Sequence, residues 1–125
     1  MLIRVGHDIQ MLDELHKKKA IWEPNFLFTQ NEISAIKNSK NATNKAGGYL
    51  VAKEAFFKAT NGVIQVSWYW TDLEIRNTAH GRPYFFTYNL LNSALSSLKS
   101  QIDLSISHTA LYASGTVIAM IGGSQ

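Results

Sequence analysis

Three groups of residues in this sequence are equipped for chemistry. Glu54 and Lys58 stand four apart in Ala52-Lys53-Glu54-Ala55-Phe56-Phe57-Lys58-Ala59, so on a helix they share one face. On an ordinary surface helix such a pair is an ion pair worth about a few tenths of a kcal/mol. Here the surrounding residues are apolar almost all round, which is the mark of a core helix. Burying charge is costly unless it is paired or binds something, so Lys53, Glu54 and Lys58 point to a site at the helix edge. Asp8 comes just after Leu2 to Gly6, which reads as a short strand; an aspartate there serves as a turn former, a helix cap or a hard oxygen ligand. Two carboxylates, Asp8 and Glu54, suffice for magnesium, which keeps several waters and takes its remaining ligands from substrate phosphates. His108, between Ser107 and Thr109, is either a satisfied structural histidine or, with the neighbouring hydroxyls, an anion contact. The chemistry implied is transfer at phosphate. No Gly-rich phosphate loop is present, so a kinase or ATPase is not indicated, and without Gly-x-Ser-x-Gly the Ser-His adjacency does not make a hydrolase.

The elements that must position these groups can be read in order. After the first strand, Met11, Leu12 and Leu15 recur at helical spacing, which predicts a helix from Gln10 to about Lys19. Thr29 with Glu32 three residues on is a capping-box pattern opening a short helix. The polar stretch Asn38 to Gly48 reads as a loop, and Gly48 to Asn61 as the central helix, stopped by Asn61-Gly62. Leu73 to Arg76 and Tyr84 to Thr87 read as two strands joined across a turn-rich loop, followed by a helix over Asn89 to Lys99. Asp103 to Thr109 alternates as a strand, and Thr116 to Ile121 reads as a buried one. Helices and strands mix without regular alternation, so the class is α+β, with the central helix against a mainly antiparallel sheet.

At 125 residues, 46% apolar and 17% charged, the chain is expected to fold as one domain spanning residues 1–125. The absence of cysteine removes disulfides and thiolate zinc sites. The N-terminus turns polar too early for a secretory leader and no apolar run reaches membrane-spanning length, so a soluble cytoplasmic protein with no membrane partner is expected. The run His16-Lys17-Lys18-Lys19 is a solvated helix face or a docking patch for an acidic protein or a phosphate-bearing ligand. Nucleic acid is not indicated, because basic residues interleaved with exposed aromatics and duplex-recognition motifs are both missing.

Taken in order, Gly6-His7-Asp8-Ile9, the Lys53-Glu54-Ala55 to Lys58 helix, Asp72-Leu73-Glu74-Ile75, Gly81-Arg82-Pro83 and Ser105-Ile106-Ser107-His108-Thr109 resemble the phosphopantetheinyl transferases, and among them the short holo-acyl-carrier-protein synthase branch. The resemblance implies that Asp8 and Glu54 hold magnesium against the pyrophosphate of coenzyme A, while Lys58 stabilises charge as the phosphoanhydride breaks. It implies a carrier-protein serine attacking the β-phosphate, with loss of 3′,5′-ADP, and leaves open whether Glu54 or water takes the serine proton. It places His108, a catalytic candidate, with Lys53, Ser107 and Thr109 at the coenzyme, and Gly81, Arg82 and Pro83 along its nucleotide. A chain of this length resembles the type that forms homotrimers with sites between subunits, serving fatty-acid or polyketide carriers. A homologue that binds coenzyme A or a carrier without transfer is the second reading. Glu14, Phe26 and Tyr49 stand where the short type usually has arginines, which changes the expected docking surface.

Overall fold

The computed structural model describes Met1 to Gly122. Strand β1 runs from Leu2 to Met11, past the expected stop at Gly6, because the ten-residue strand β5, Tyr112–Ile121, offers it an unbroken antiparallel partner from Leu2↔Ile121 to Met11↔Tyr112. Strand β4, Gln101–His108, pairs with the other side of β5, giving the order β1-β5-β4. Asp8 therefore lies inside a strand, opposite Gly115, and not beyond a strand end.

Alternation decides which side chains this sheet turns inward. In β5, Ala113, Gly115, Val117, Ala119 and Ile121 share the buried face, and the register aligns Gln10, Asp8 and Gly6 of β1 and His108, Ile106 and Leu104 of β4 with it. Across this face lies the central helix α2, Ala42–Thr60, through its small residues Ala52, Ala55 and Ala59. The approach is so close that a Cβ at Gly6 would collide with the Ala55 carbonyl and lie 2.7 Å from the Ala59 nitrogen. Gly6 is thus a contact point between strand and helix backbones. The opposite face of the sheet is open, with Ile3, Val5 and Ile9 each about 60% exposed and Ile118 at 44%.

Helix α2 begins at Ala42, six residues before the expected start: Asn41 caps it, its side-chain oxygen accepting from the Asn44 amide at 3.0 Å. The expected first helix is instead two 3-10 turns, Leu12–Lys17 and Lys19–Trp22, which still bury Leu12, Leu15 and Ile21. Helix α1, Gln30–Lys37, opens with the expected capping box of Thr29 and Glu32. On the far side of α2, strands β2, Leu73–Asn77, and β3, Pro83–Thr87, form a separate antiparallel hairpin, and α3 spans Asn89–Ser97. Phe56 of α2 packs edge-on against Trp68 and Phe85, tying that layer to the helix. The class is α+β as expected, with the antiparallel strands divided between two sheets.

Candidate active site

Helix α2 and strand β1 bring Asp8, Glu54 and Lys58 together. The Lys58 ammonium donates to Asp8 Oδ1 at 3.2 Å and to the His7 carbonyl at 3.0 Å. The Asp8 side chain is 21% exposed and Lys58 52%, so the cluster opens to solvent. Glu54 sits one turn earlier on the same face. Burial pushes its carboxyl above the ordinary range and the charge of Asp8 adds to this, while Lys58 and Lys18 oppose it. Two carboxylates that repel one another beside open solvent fit a divalent cation, whose charge would relieve both. Among the described residues no group of three or more His, Asp or Glu side chains gathers as a metal cage. Two carboxylates with a phosphate-bearing substrate as the further ligand is the pattern magnesium accepts.

A second group forms at the other edge of the sheet. His108, at the end of β4, shares an open cleft of about 170 Å³ with Gly81 from the β2–β3 turn, with Pro83 at the start of β3, and with Asn44, Lys45 and Tyr49 from the first turns of α2. The turn is closed by Gly81, whose amide donates to the Thr78 carbonyl at 2.9 Å and whose φ of 87° favours glycine. Lys45 was hidden in the sequence by the apparent loop, although its spacing of four from Tyr49 was a helical signal; its ammonium lies 5.6 Å from the Tyr49 ring centre. With Lys45 and His108 on its walls, the cleft suits an anionic ligand. Its volume is below the roughly 300–1,000 Å³ of complete ligand pockets.

The remaining candidates lie elsewhere. Arg82 lines an adjoining cleft that shares Pro83 and Ile106 with this one, and its Nη2 donates to both carboxylate oxygens of Asp103 at 2.6 and 2.8 Å in an exposed ion pair. Ser107 is on the outer face of β4, opposite Ser114. Thr109 closes the β4–β5 turn, its hydroxyl accepting from the Leu111 and Tyr112 amides at 3.1 Å. Lys53 is corrected outright as a coenzyme contact: it is fully buried and its ammonium is occupied by the Leu27 carbonyl, Glu32 and the Trp70 carbonyl. Glu32 is the residue sequence reasoning missed, since a capping-box glutamate is ordinarily solvated. Among the positions that depart from the short type, Glu14 pairs with Lys17 at 3.0 Å, Phe26 is 45% exposed and Tyr49 is buried.

Comparison with known proteins gives these groups a family. Residues 4–118 match the model of the 4'-phosphopantetheinyl transferase superfamily. A holo-[acyl-carrier-protein] synthase of Fusobacterium nucleatum is 36% identical over 96% of this chain and all of that protein. One from Caldanaerobacter subterraneus subsp. tengcongensis is 34% identical over the whole chain and 99% of its own length. The crystal structure of a holo-(acyl-carrier-protein) synthase from Bacillus anthracis in complex with CoA (3',5'-ADP) superposes with a TM-score of 0.73 at 28% identity, covering 93% of this chain and 94% of that one. The Neisseria meningitidis synthase shares the fold, with a TM-score of 0.80 over 94% and 97% of the two chains at 24% identity. The match runs through β1, α2, the β2–β3 turn and β4, the elements that carry Asp8, Glu54, Lys58 and His108, and on that ground the chain belongs to the 4'-phosphopantetheinyl transferase superfamily.

Proposed function

We propose that this protein is a holo-[acyl-carrier-protein] synthase, moving the 4'-phosphopantetheine group of coenzyme A onto a serine of an apo acyl carrier protein. The serine hydroxyl gives its proton to Glu54 or to water as its oxygen forms a bond to the β-phosphorus, the anhydride bond breaks, and 3',5'-ADP leaves with the bridging oxygen. The observation that carries the reading is the meeting of Asp8, Glu54 and Lys58 across β1 and α2 in a family member. Asp8 and Glu54 would hold magnesium, which when bound supplies the charge that offsets the pyrophosphate. Lys58, half exposed and anchored on the His7 carbonyl, is placed to donate to phosphate oxygens whose charge grows as the anhydride opens. Lys45 and His108 would take the remaining phosphate charge of the coenzyme, with Gly81 and Pro83 against its nucleotide.

The site is shared between copies of the chain, in a homotrimer. Asp8 is on one edge strand of the sheet and His108 on the other, with β5 between them and α2 lying across the face that both share, so within one chain the helix separates the two halves of the site. The exposed outer face around Ile3, Val5, Ile9 and Ile118 is the surface suited to bury against a neighbour. Lys18, whose charge reaches Glu54, and its neighbours Lys17 and Lys19 suit an acidic carrier of fatty-acid or polyketide synthesis, and coenzyme A chemistry on a chain without cysteine suits the cytosol. Mixing is the test: Glu54→Gln and His108→Ala proteins, each inactive alone, should regain part of the wild-type rate when subunits are exchanged. No recovery would place each complete site within one chain.

A further inference from the structure

We infer that Lys53, buried and remote from any reacting atom, is a positioning residue that fixes the rotation of α2 and so the aim of Glu54 and Lys58; this rests on the proposed transferase reading. On the sheet side, α2 lies on small residues and glycines, Ala55 and Ala59 over Gly6 and Val51 and Ala52 over Gly115. Such a surface brings the helix close but offers few side-chain knobs to stop it turning. The stop is on the opposite side. Lys53 Nζ donates to the Leu27 carbonyl at 2.6 Å, to Glu32 Oε1 at 2.7 Å and to the Trp70 carbonyl at 3.1 Å, which accounts for all three of its protons. Glu32 in turn accepts from the Thr29 amide at 2.9 Å and the Ile75 amide at 2.8 Å. One ammonium thereby ties α2 to the approach to α1, to the turn before β2 and, through Glu32, to β2 itself.

The acceptors spread around the ammonium like the feet of a tripod, so the tie resists rotation as well as separation. Lys53 directly precedes Glu54, and any turn of the helix at one is felt at the other. Side chains reach about 5–6 Å from a helix axis, so a rotation of about 10° moves the Glu54 carboxylate by about 1 Å. A misplacement of that size costs on the order of 100-fold in rate. A core could do without this pair: apolar residues of similar volume often replace a buried ion pair at no loss of stability. The arrangement supplies direction, and its place beside the reactive pair is where direction counts.

The test compares wild type, Lys53→Met combined with Glu32→Gln, and Lys53→Arg, using coenzyme A, magnesium and an apo carrier that wild type modifies. The double variant leaves no unpaired buried charge. It should melt cooperatively, keep its KM for coenzyme A within about threefold and lose about 100-fold in kcat per folded molecule. Lys53→Arg keeps the charge but its planar fork does not match the tripod, so it should fold and lose about tenfold. A folded double variant with wild-type kcat, or a Lys53→Arg protein with wild-type kcat should the double variant fail to fold, overturns the inference. A crystal structure of either folded variant gives a readout free of turnover: Lys58 drawn away from Asp8 supports positioning, and an unchanged contact overturns it. Absence of transfer by wild type would sink the transferase reading alone, because the structural comparison still decides the role of Lys53.

Discussion

Gly6→Ala should damage the site without touching a reacting group. The added Cβ would fall inside van der Waals distance of the Ala55 carbonyl and sit 2.7 Å from the Ala59 nitrogen, both of them backbone atoms that no rotamer change can clear. Carbon contacts settle near 3.5–4.0 Å, so strand and helix must part by about 1.5 Å. That parting falls between Asp8, two residues along β1, and Glu54, adjacent to Ala55. The 3.2 Å contact between Lys58 and Asp8 would open past ion-pair range. Overpacking of this kind costs about 2–3 kcal/mol, which in a domain of this size lowers Tm by about 10 °C. Turnover of the folded variant should fall about 100-fold, since the two carboxylates no longer share one substrate. Differential scanning calorimetry and carrier modification followed by mass spectrometry measure the two effects. Gly48→Ala is the comparator for stability, because its Cβ meets no backbone atom and only the Cγ2 methyl of Ile106, at 3.1 Å, and it should melt close to wild type. A Gly6→Ala protein with unchanged Tm and turnover would refute the claim that this glycine sets the distance across the site.

Three further outcomes are expected. Lys58→Met should keep the fold, since an ion pair this exposed contributes at most about 1 kcal/mol, yet lower kcat by about 100-fold or more with coenzyme A affinity little changed in titration calorimetry. Changing Lys17, Lys18 and Lys19 together to glutamate should raise the KM for an acidic carrier and flatten its dependence on salt, leaving the KM for coenzyme A unmoved. Burial pushes Glu74 up, but hydrogen bonds from Thr29, Arg76, Asn31 and Tyr88 outweigh it and hold the carboxyl below its ordinary value. The unfolded chain then binds the proton first as pH falls, so this stabilisation is present above the ordinary carboxylate pKa and is lost as pH drops through the lowered one. Urea unfolding should show Glu74→Gln less stable than wild type at pH 7, with the gap closing in acid.

The candidate site residues stood out in the sequence because their types conflict with their surroundings. Glu54 and Lys58 are charges on a helix too apolar to carry them idly, and the structure sets Lys58 against Asp8 and Glu54 within reach of its charge. The same logic misplaced Lys53: a charge at odds with an apolar helix signals a partner, and only tertiary structure shows that this partner is Glu32, distant in sequence and ordinarily a solvated cap. Strand and helix limits failed where local signals were overruled. Gly6 reads as a strand end, yet the ladder with β5 carries the strand to Met11, and the glycine serves helix contact instead. The polar, glycine-bearing start of α2 reads as loop because its propensity is poor, but Asn41 caps it and packing holds it. Lys45 was hidden with it.

The central claim, that Asp8, Glu54 and Lys58 transfer phosphopantetheine, is tested most directly by incubating wild type and Glu54→Gln with coenzyme A, magnesium and a panel of apo carrier proteins, then weighing the carriers. Wild type should add one phosphopantetheine group to the serine of at least one carrier, and Glu54→Gln, folded and equally stable, should add none. No adduct on any carrier, or equal modification by both proteins, would contradict it.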